Sequence, residues 1–139
     1  MRDCLRLGIV LAATALVSSC GGGAASLVAA TRSLVPESST IVAEHKGDCV
    51  EFASGPSCAD VYYVNAHRPQ AERVELVRRA AAAAHWKADG ESVLRGATWL
   101  RYRRGSYHAS VWVLVDEQAA PCAERPRKAC ADLVHVLRD

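Results

Sequence analysis

The sequence predicts an α+β domain: an antiparallel sheet of about four to five strands with one long helix packed across it. Three observations carry this expectation. Residues 93–104 and 107–115 are strand-like runs around Gly105-Ser106, and residues 70–87 are rich in helix formers with one apolar stripe. Four cysteines, Cys49, Cys58, Cys122 and Cys130, fall in the last hundred residues. Together they describe a disulfide-stapled two-layer sandwich.

At 139 residues the chain is expected to hold one domain. Its net charge of +2 falls to +1 once the first nineteen residues are set aside, leaving 15 basic against 14 acidic side chains. A nucleic-acid partner is not expected, because its electrostatic footprint is a strongly basic face. Aromatics make up 6% of the chain, and all three Trp and four Tyr lie between Tyr62 and Trp112.

The chain opens on Arg2 and Arg6, then an apolar run over 7–17. Eleven helical residues reach ~16 Å, too short for the ~30 Å hydrocarbon core of a bilayer. Such a run has the size and flanks of an export signal, here over 1–19. Val17-Ser18-Ser19-Cys20 follows directly: an aliphatic residue, two small residues, then Cys. This quartet resembles the lipobox of bacterial lipoproteins. The resemblance implies that the Cys20 thiol receives a diacylglycerol and that cleavage occurs just before it. Two acyl chains anchor stably, at ~0.8 kcal/mol per buried methylene. Gly21-Gly22-Gly23 begins a lipid-anchored flexible tether expected over 20–39, and Pro36 to Thr40 marks its end. The single folded domain is expected over 40–139, on the extracytoplasmic side of the cell membrane.

That compartment oxidises thiols. Three pairings of the four later cysteines are possible; Cys49–Cys58 and Cys122–Cys130 are expected, because each closes a short loop containing turn formers (Ser54-Gly55-Pro56-Ser57; Arg125-Pro126-Arg127). A zinc site is not expected, since zinc ligands come as closer pairs than these spacings allow. No other metal and no cofactor is expected.

Within the domain, 41–45 reads as a strand, 46–48 as a turn and 49–52 as a second short strand. Residues 59–65, rich in Val and Tyr, are the best strand of this half. A helix follows over 70–87, with Val74, Val77, Ala81 and Ala84 on one stripe and Glu72, Arg73, Arg78 and Arg79 largely on the other side. Asp89-Gly90 is expected to end it. Gly105-Ser106 fits a Gly-first two-residue hairpin turn. That turn pairs Trp99 with Trp112, Leu100 with Val111, Tyr102 with Ala109 and Arg104 with Tyr107. One face then carries Leu100, Tyr102, Ala109, Val111 and Val113 and must be core. Residues 130–137 fit a helix or an edge strand, the helix being favoured slightly.

The other hairpin face carries Trp99, Arg101, Arg103, His108 and Trp112, the candidate binding face. Flat rings beside guanidinium groups dominate interface hot spots, although a cross-strand aromatic pair also stabilises a hairpin by ~0.2–1 kcal/mol on its own. No catalytic motif is found: no nucleophile elbow, no phosphate loop and no placed carboxylate pair. His45, His67, His85, His108 and His135 are scattered and read as surface or half-buried residues. The Ala/Arg/Val-rich style resembles small lipoproteins of high-GC Gram-positive bacteria. The expected role is a non-enzymatic binding or accessory module of the envelope, with an envelope protein, a glycan or an anionic ligand as partner. A small envelope enzyme or enzyme inhibitor is the alternative, and a structural spacer the third.

Overall fold

In the computed structural model, which describes residues 24–48, 54–65 and 67–139, the hairpin around Gly105-Ser106 forms in the expected register. Its strands are here named β4 (Ala97–Arg104) and β5 (Tyr107–Val113). Gly105 turns the chain at φ +58°, a conformation that L side chains rarely adopt. Alternation sends Leu100, Tyr102, Ala109, Val111 and Val113 inward, all buried.

Before them come α1 (Ala24–Arg32), β1 (Thr40–Asp48), β2 (Ser54–Val64), α2 (Gln70–Ala83) and β3 (Lys87–Leu94). After them come α3 (Asp116–Ala119), 3-10 turns at Ala120–Ala123 and Lys128–Cys130, and β6 (Asp132–Arg138). All strand pairs are antiparallel, in the order β1-β2-β6-β5-β4-β3. The α+β class and antiparallel sheet are those expected. The count is not: there are six strands and three helices among the described residues, rather than four to five strands and one long helix.

Two strands account for the difference. The run expected over 93–104 breaks at Arg95-Gly96, whose φ values of +50° and +83° make a tight two-residue turn. The segment before the turn is edge strand β3, exposed at every position but Ser92. With neither face buried it carries no apolar alternation, so the sequence hides it. The C-terminal segment, favoured as helix, is strand β6, set between β2 and β5. Val134 and Val136 are fully buried on its inner side. Both readings fit the local pattern. Flanking strands on both sides select the extended one.

The long helix also ends early, at Ala83 rather than near 87. His85 stands at φ +63°, its N–H bonded to the Ala82 carbonyl, and the Trp86 N–H reaches back to Ala81. This is a Schellman-type stop with His where Gly is usual. Burying Trp86, only 6% exposed, compensates the backbone cost, and 87–90 become strand instead of a helix end. Residues 46–48 and 54–57, expected as turn and loop, belong to β1 and β2. A register shift between Lys46 and Asp48 falls opposite this stretch, and β6 pairs β2 only from Cys58 onward, so Pro56 interrupts no central ladder.

Both long helices lie on one face. Leu27, Ala30 and Leu34 from the α1 region join Val74, Val77 and Ala81 of α2 over Ala59, Tyr63 and the inner valines of β5 and β6. The segment expected as tether is thus folded from Ala24 onward, because Leu27 and Leu34 have sheet to cover. The expected signal over 1–19, Cys20, Cys49 and the short strand over 49–52 lie outside the described residues.

The opposite face is half covered. The loop closed by the Cys122–Cys130 disulfide packs both sulfurs with Tyr62, Val64 and Ala131, beside Leu133 and Ala43. Cys58 is buried and disulfide-bonded as well. Cys122→Ser/Cys130→Ser is expected to lower stability by about 2.5 kcal/mol, the chain entropy of so short a loop. Urea denaturation checks this, and a loss under 1 kcal/mol would mean the loop holds itself.

Candidate functional site

The strand registers arrange the outer face, the one away from α1 and α2, in three cross-strand rows. The first runs Ala43, Tyr62, Leu133, Trp112, Trp99, Ser92, and the second His45, Asp60, His135, Ser110, Arg101, Gly90. The third runs Cys58, Leu137, His108, Arg103, Lys87. The disulfide loop covers the β1, β2 and β6 end of the first row. The β5, β4 and β3 end stays accessible.

All five residues of the expected binding face, Trp99, Arg101, Arg103, His108 and Trp112, lie on this accessible half. The two indoles stack in parallel, centroids 4.6 Å apart at 9°. Arg101 lies over the other face of Trp99, its guanidinium carbon 4.6 Å from the ring centre. The guanidinium extends across β3, where Gly90 leaves room: a Cβ there would stand 2.5 Å from Arg101 Nη2. Trp99 is therefore covered on both faces, by Trp112 and by Arg101. A sugar cannot stack on Trp99. What the sandwich offers is a cation held in place.

Among the described residues neither Arg101, Arg103 nor Lys87 has a hydrogen-bonded carboxylate, and the buried Nε1–H of Trp99 has no acceptor. His108 differs, its Nε2 lying 2.6 Å from Asp139 Oδ2.

The polar row holds a pair that sequence reasoning missed. Asp60 is completely buried, and its Oδ1 lies 2.6 Å from Nδ1 of half-buried His135. Ser110 is the next residue along that row. A lone Asp inside an apolar strand was the available signal. Its partner sits 75 positions away and becomes a neighbour only through the β2–β6 pairing.

A second polar centre lies at the opposite side of the sheet, where α2 starts. Arg73, expected on the solvent side of its helix, is 2% exposed. Its Nε donates to the Arg68 carbonyl at 3.0 Å, Nη1 to both oxygens of Asp132 at 2.8 and 2.9 Å, and Nη2 to the Leu114 carbonyl at 2.8 Å and to Asp116 Oδ1 at 3.1 Å. Each of the three guanidinium nitrogens thus has an acceptor. Asp132, also 2% exposed, further accepts the Leu114 N–H. Beside this network is a cavity of about 370 Å³ lined by Tyr63, Asp132, Asp116 and the alanines that follow. Tyr63 is fully buried, and its hydroxyl has no hydrogen-bond partner among the described residues. Such a group costs about 1–3 kcal/mol of desolvation.

No family model, curated protein or solved structure matches this chain.

Burial, the largest influence on Asp132, holds its carboxyl above the ordinary carboxylate range against the opposing pull of Arg73 and the Leu114 N–H. The folded protein then keeps a proton that the unfolded chain has already released. This group's contribution is most favourable below the ordinary carboxylate pKa and declines as pH rises through the window up to the folded value. The stability difference between wild type and Asp132→Asn is expected to shift against wild type across that window. A difference growing in favour of wild type, in urea titrations at stepped acidic pH, would refute it. Glu44 acts in the opposite sense: its hydrogen bond from Arg32 lowers its pKa, so its contribution is lost on acidification. That pair is exposed, and its effect is small.

Proposed function

We propose that the protein is a lipid-anchored module on the extracytoplasmic side of the cell membrane that binds an anionic component of the envelope through its outer sheet face. One observation carries the reading: the Arg101 guanidinium is fixed on the Trp99–Trp112 stack, and neither it nor neighbouring Arg103 and Lys87 has a hydrogen-bonded carboxylate among the described residues. A cation held before the ligand arrives loses little side-chain entropy on binding. The alternative, a small envelope enzyme or inhibitor, asks for a deep cleft joining His108, Arg101 and a carboxylate. Here Arg101 lies across a strand edge, and His108 is already bonded to Asp139.

The anchor rests on the lipobox resemblance, and intact-mass analysis of protein from its native host tests it: Cys20 should carry diacylglycerol. The recognition reading is tested by crosslinking on intact cells followed by identification of what is captured. Arg101→Gln/Arg103→Gln and Trp99→Ser/Trp112→Ser should each lose the captured species while remaining folded. Folded variants that capture it undiminished end the proposal.

A further inference from the structure

We infer that the end of the sheet where α1 begins rests on the membrane surface, where Lys46, Lys87, Arg103 and Arg138 meet anionic phospholipid headgroups. This placement rests on the lipid-anchored reading of Cys20 and adds which end of the domain faces the bilayer. α1 starts at Ala24, so three residues, Gly21, Gly22 and Gly23, separate it from Cys20. Four Cα–Cα steps reach at most ~15 Å. The start of α1 is therefore held close to whatever surface holds the acyl chains.

The direction of α1 identifies the end of the sheet concerned. Arg32, its last residue, donates to Glu44 through Nε and Nη2 at 2.6 and 2.7 Å. One turn earlier, Val28 lines a cavity with Lys46, Ala59 and Val61, between α1 and the β1–β2 pair. Four helical residues rise ~6 Å and two strand residues ~6.6 Å, so α1 and β1 keep step in opposite directions. Ala24, a further turn back, is level with Asp48 at the far end of β1. The registers carry that level across to Arg138, Tyr107 and Arg104, beside the Gly105-Ser106 turn.

Charge is separated along the sheet in the matching sense. Lys87 and Arg103 face each other across β3 and β4 at this same end, and both are exposed, as are Lys46 and Arg138. Among the described residues none of the four has a hydrogen-bonded carboxylate. The acidic residues here are Asp48 and Asp139, and Asp139 lies against His108. At the opposite end Asn65 donates to Ser39 and Gln70 to the Gly96 carbonyl. Beyond the internal Arg73–Asp132 pair, that end carries Glu37, Glu72, Asp116 and Glu117 against Arg68 and Arg95. The basic end is thus the tethered one. A short tether makes its contact with headgroups intramolecular, so a few cations suffice to hold it.

NMR of the lipidated protein from its native host, in nanodiscs doped with a gadolinium-chelating lipid, tests the placement. In discs of equal parts phosphatidylcholine and phosphatidylglycerol, amides of Gly47, Gly105 and Ser106 should relax several times faster than those of Arg95 and Gly96 at the opposite turn. Phosphatidylcholine alone should reduce that contrast. Lys46→Gln/Arg138→Gln should reduce it in the mixed discs, each lost cation lowering occupancy of the docked state about fivefold. Release from neutral discs, where the acyl chains alone hold the protein, would refute the anchor and this placement together. An anchored protein with no contrast, the reverse contrast, or the same contrast in both lipids overturns the placement alone. So does a double variant that keeps the full contrast. Amide shifts around the four cations with soluble polyphosphate, and none with phosphatidylglycerol, would assign them to another anion and overturn it as well.

Discussion

Replacing Arg73 with leucine is expected to lower stability by about 3–5 kcal/mol, the cost of leaving a buried charge without its partner. The guanidinium ties the β2–α2 connection through the Arg68 carbonyl, the end of β5 through Leu114, and the start of β6 through Asp132. Its removal strands the Asp132 carboxylate, 2% exposed, with one backbone N–H for company. The double variant Arg73→Leu/Asp132→Leu should therefore be more stable than Arg73→Leu alone, because the uncompensated charge is gone. Urea denaturation of the three proteins decides the matter. A single variant within 1 kcal/mol of wild type would show that the pair is not the junction described.

Trp86→Ala is expected to cost a similar amount, about 3–5 kcal/mol, as a large aromatic removed from a packed core. The ring sits among both helices and the sheet. Its Nε1–H donates to Ser33 Oγ at 2.8 Å, just past α1. Arg104 lies over it with Cζ 4.6 Å from the centroid, while the same side chain donates to the Ala84 carbonyl at 2.9 Å and so caps α2. Losing the ring should loosen α1 before the sheet, seen as faster amide exchange over 27–34 than over β5. Trp86→Phe should keep most of the packing and lose about 1 kcal/mol, the worth of one hydrogen bond. Equal exchange gains in α1 and β5 would show that Trp86 has no special hold on α1.

These two residues also mark where sequence reading ran out. Arg73 sits among other arginines and glutamates on a helix of strong formers, and nothing local separates it from Arg78 and Arg79, which stay exposed. Its burial follows from β6, whose Asp132 arrives from 59 positions away. Trp86 stops α2 against a run of alanines that would propagate it, since the gain from packing one large ring exceeds helix propensities of a fraction of a kcal/mol per residue. The shared face of Trp99, Arg101, Arg103, His108 and Trp112 was legible in the hairpin register. The cavity beside the start of α2, built from separated segments, was not.

What the sequence alone determined was local: the two-residue turn at Gly105, the register that follows from it, the split of β4 and β5 into an apolar and an aromatic-cationic face, the apolar stripe of α2, and the Cys122–Cys130 loop. Turn stereochemistry and side-chain alternation act between residues close in the chain, so their outcome can be read there. The tertiary structure decided the strand state of 132–138, the docking of α1, the pairing of Asp60 with His135 and the burial of Arg73. Each depends on a partner brought near only when β6 enters between β2 and β5, and a local pattern carries no record of that neighbour.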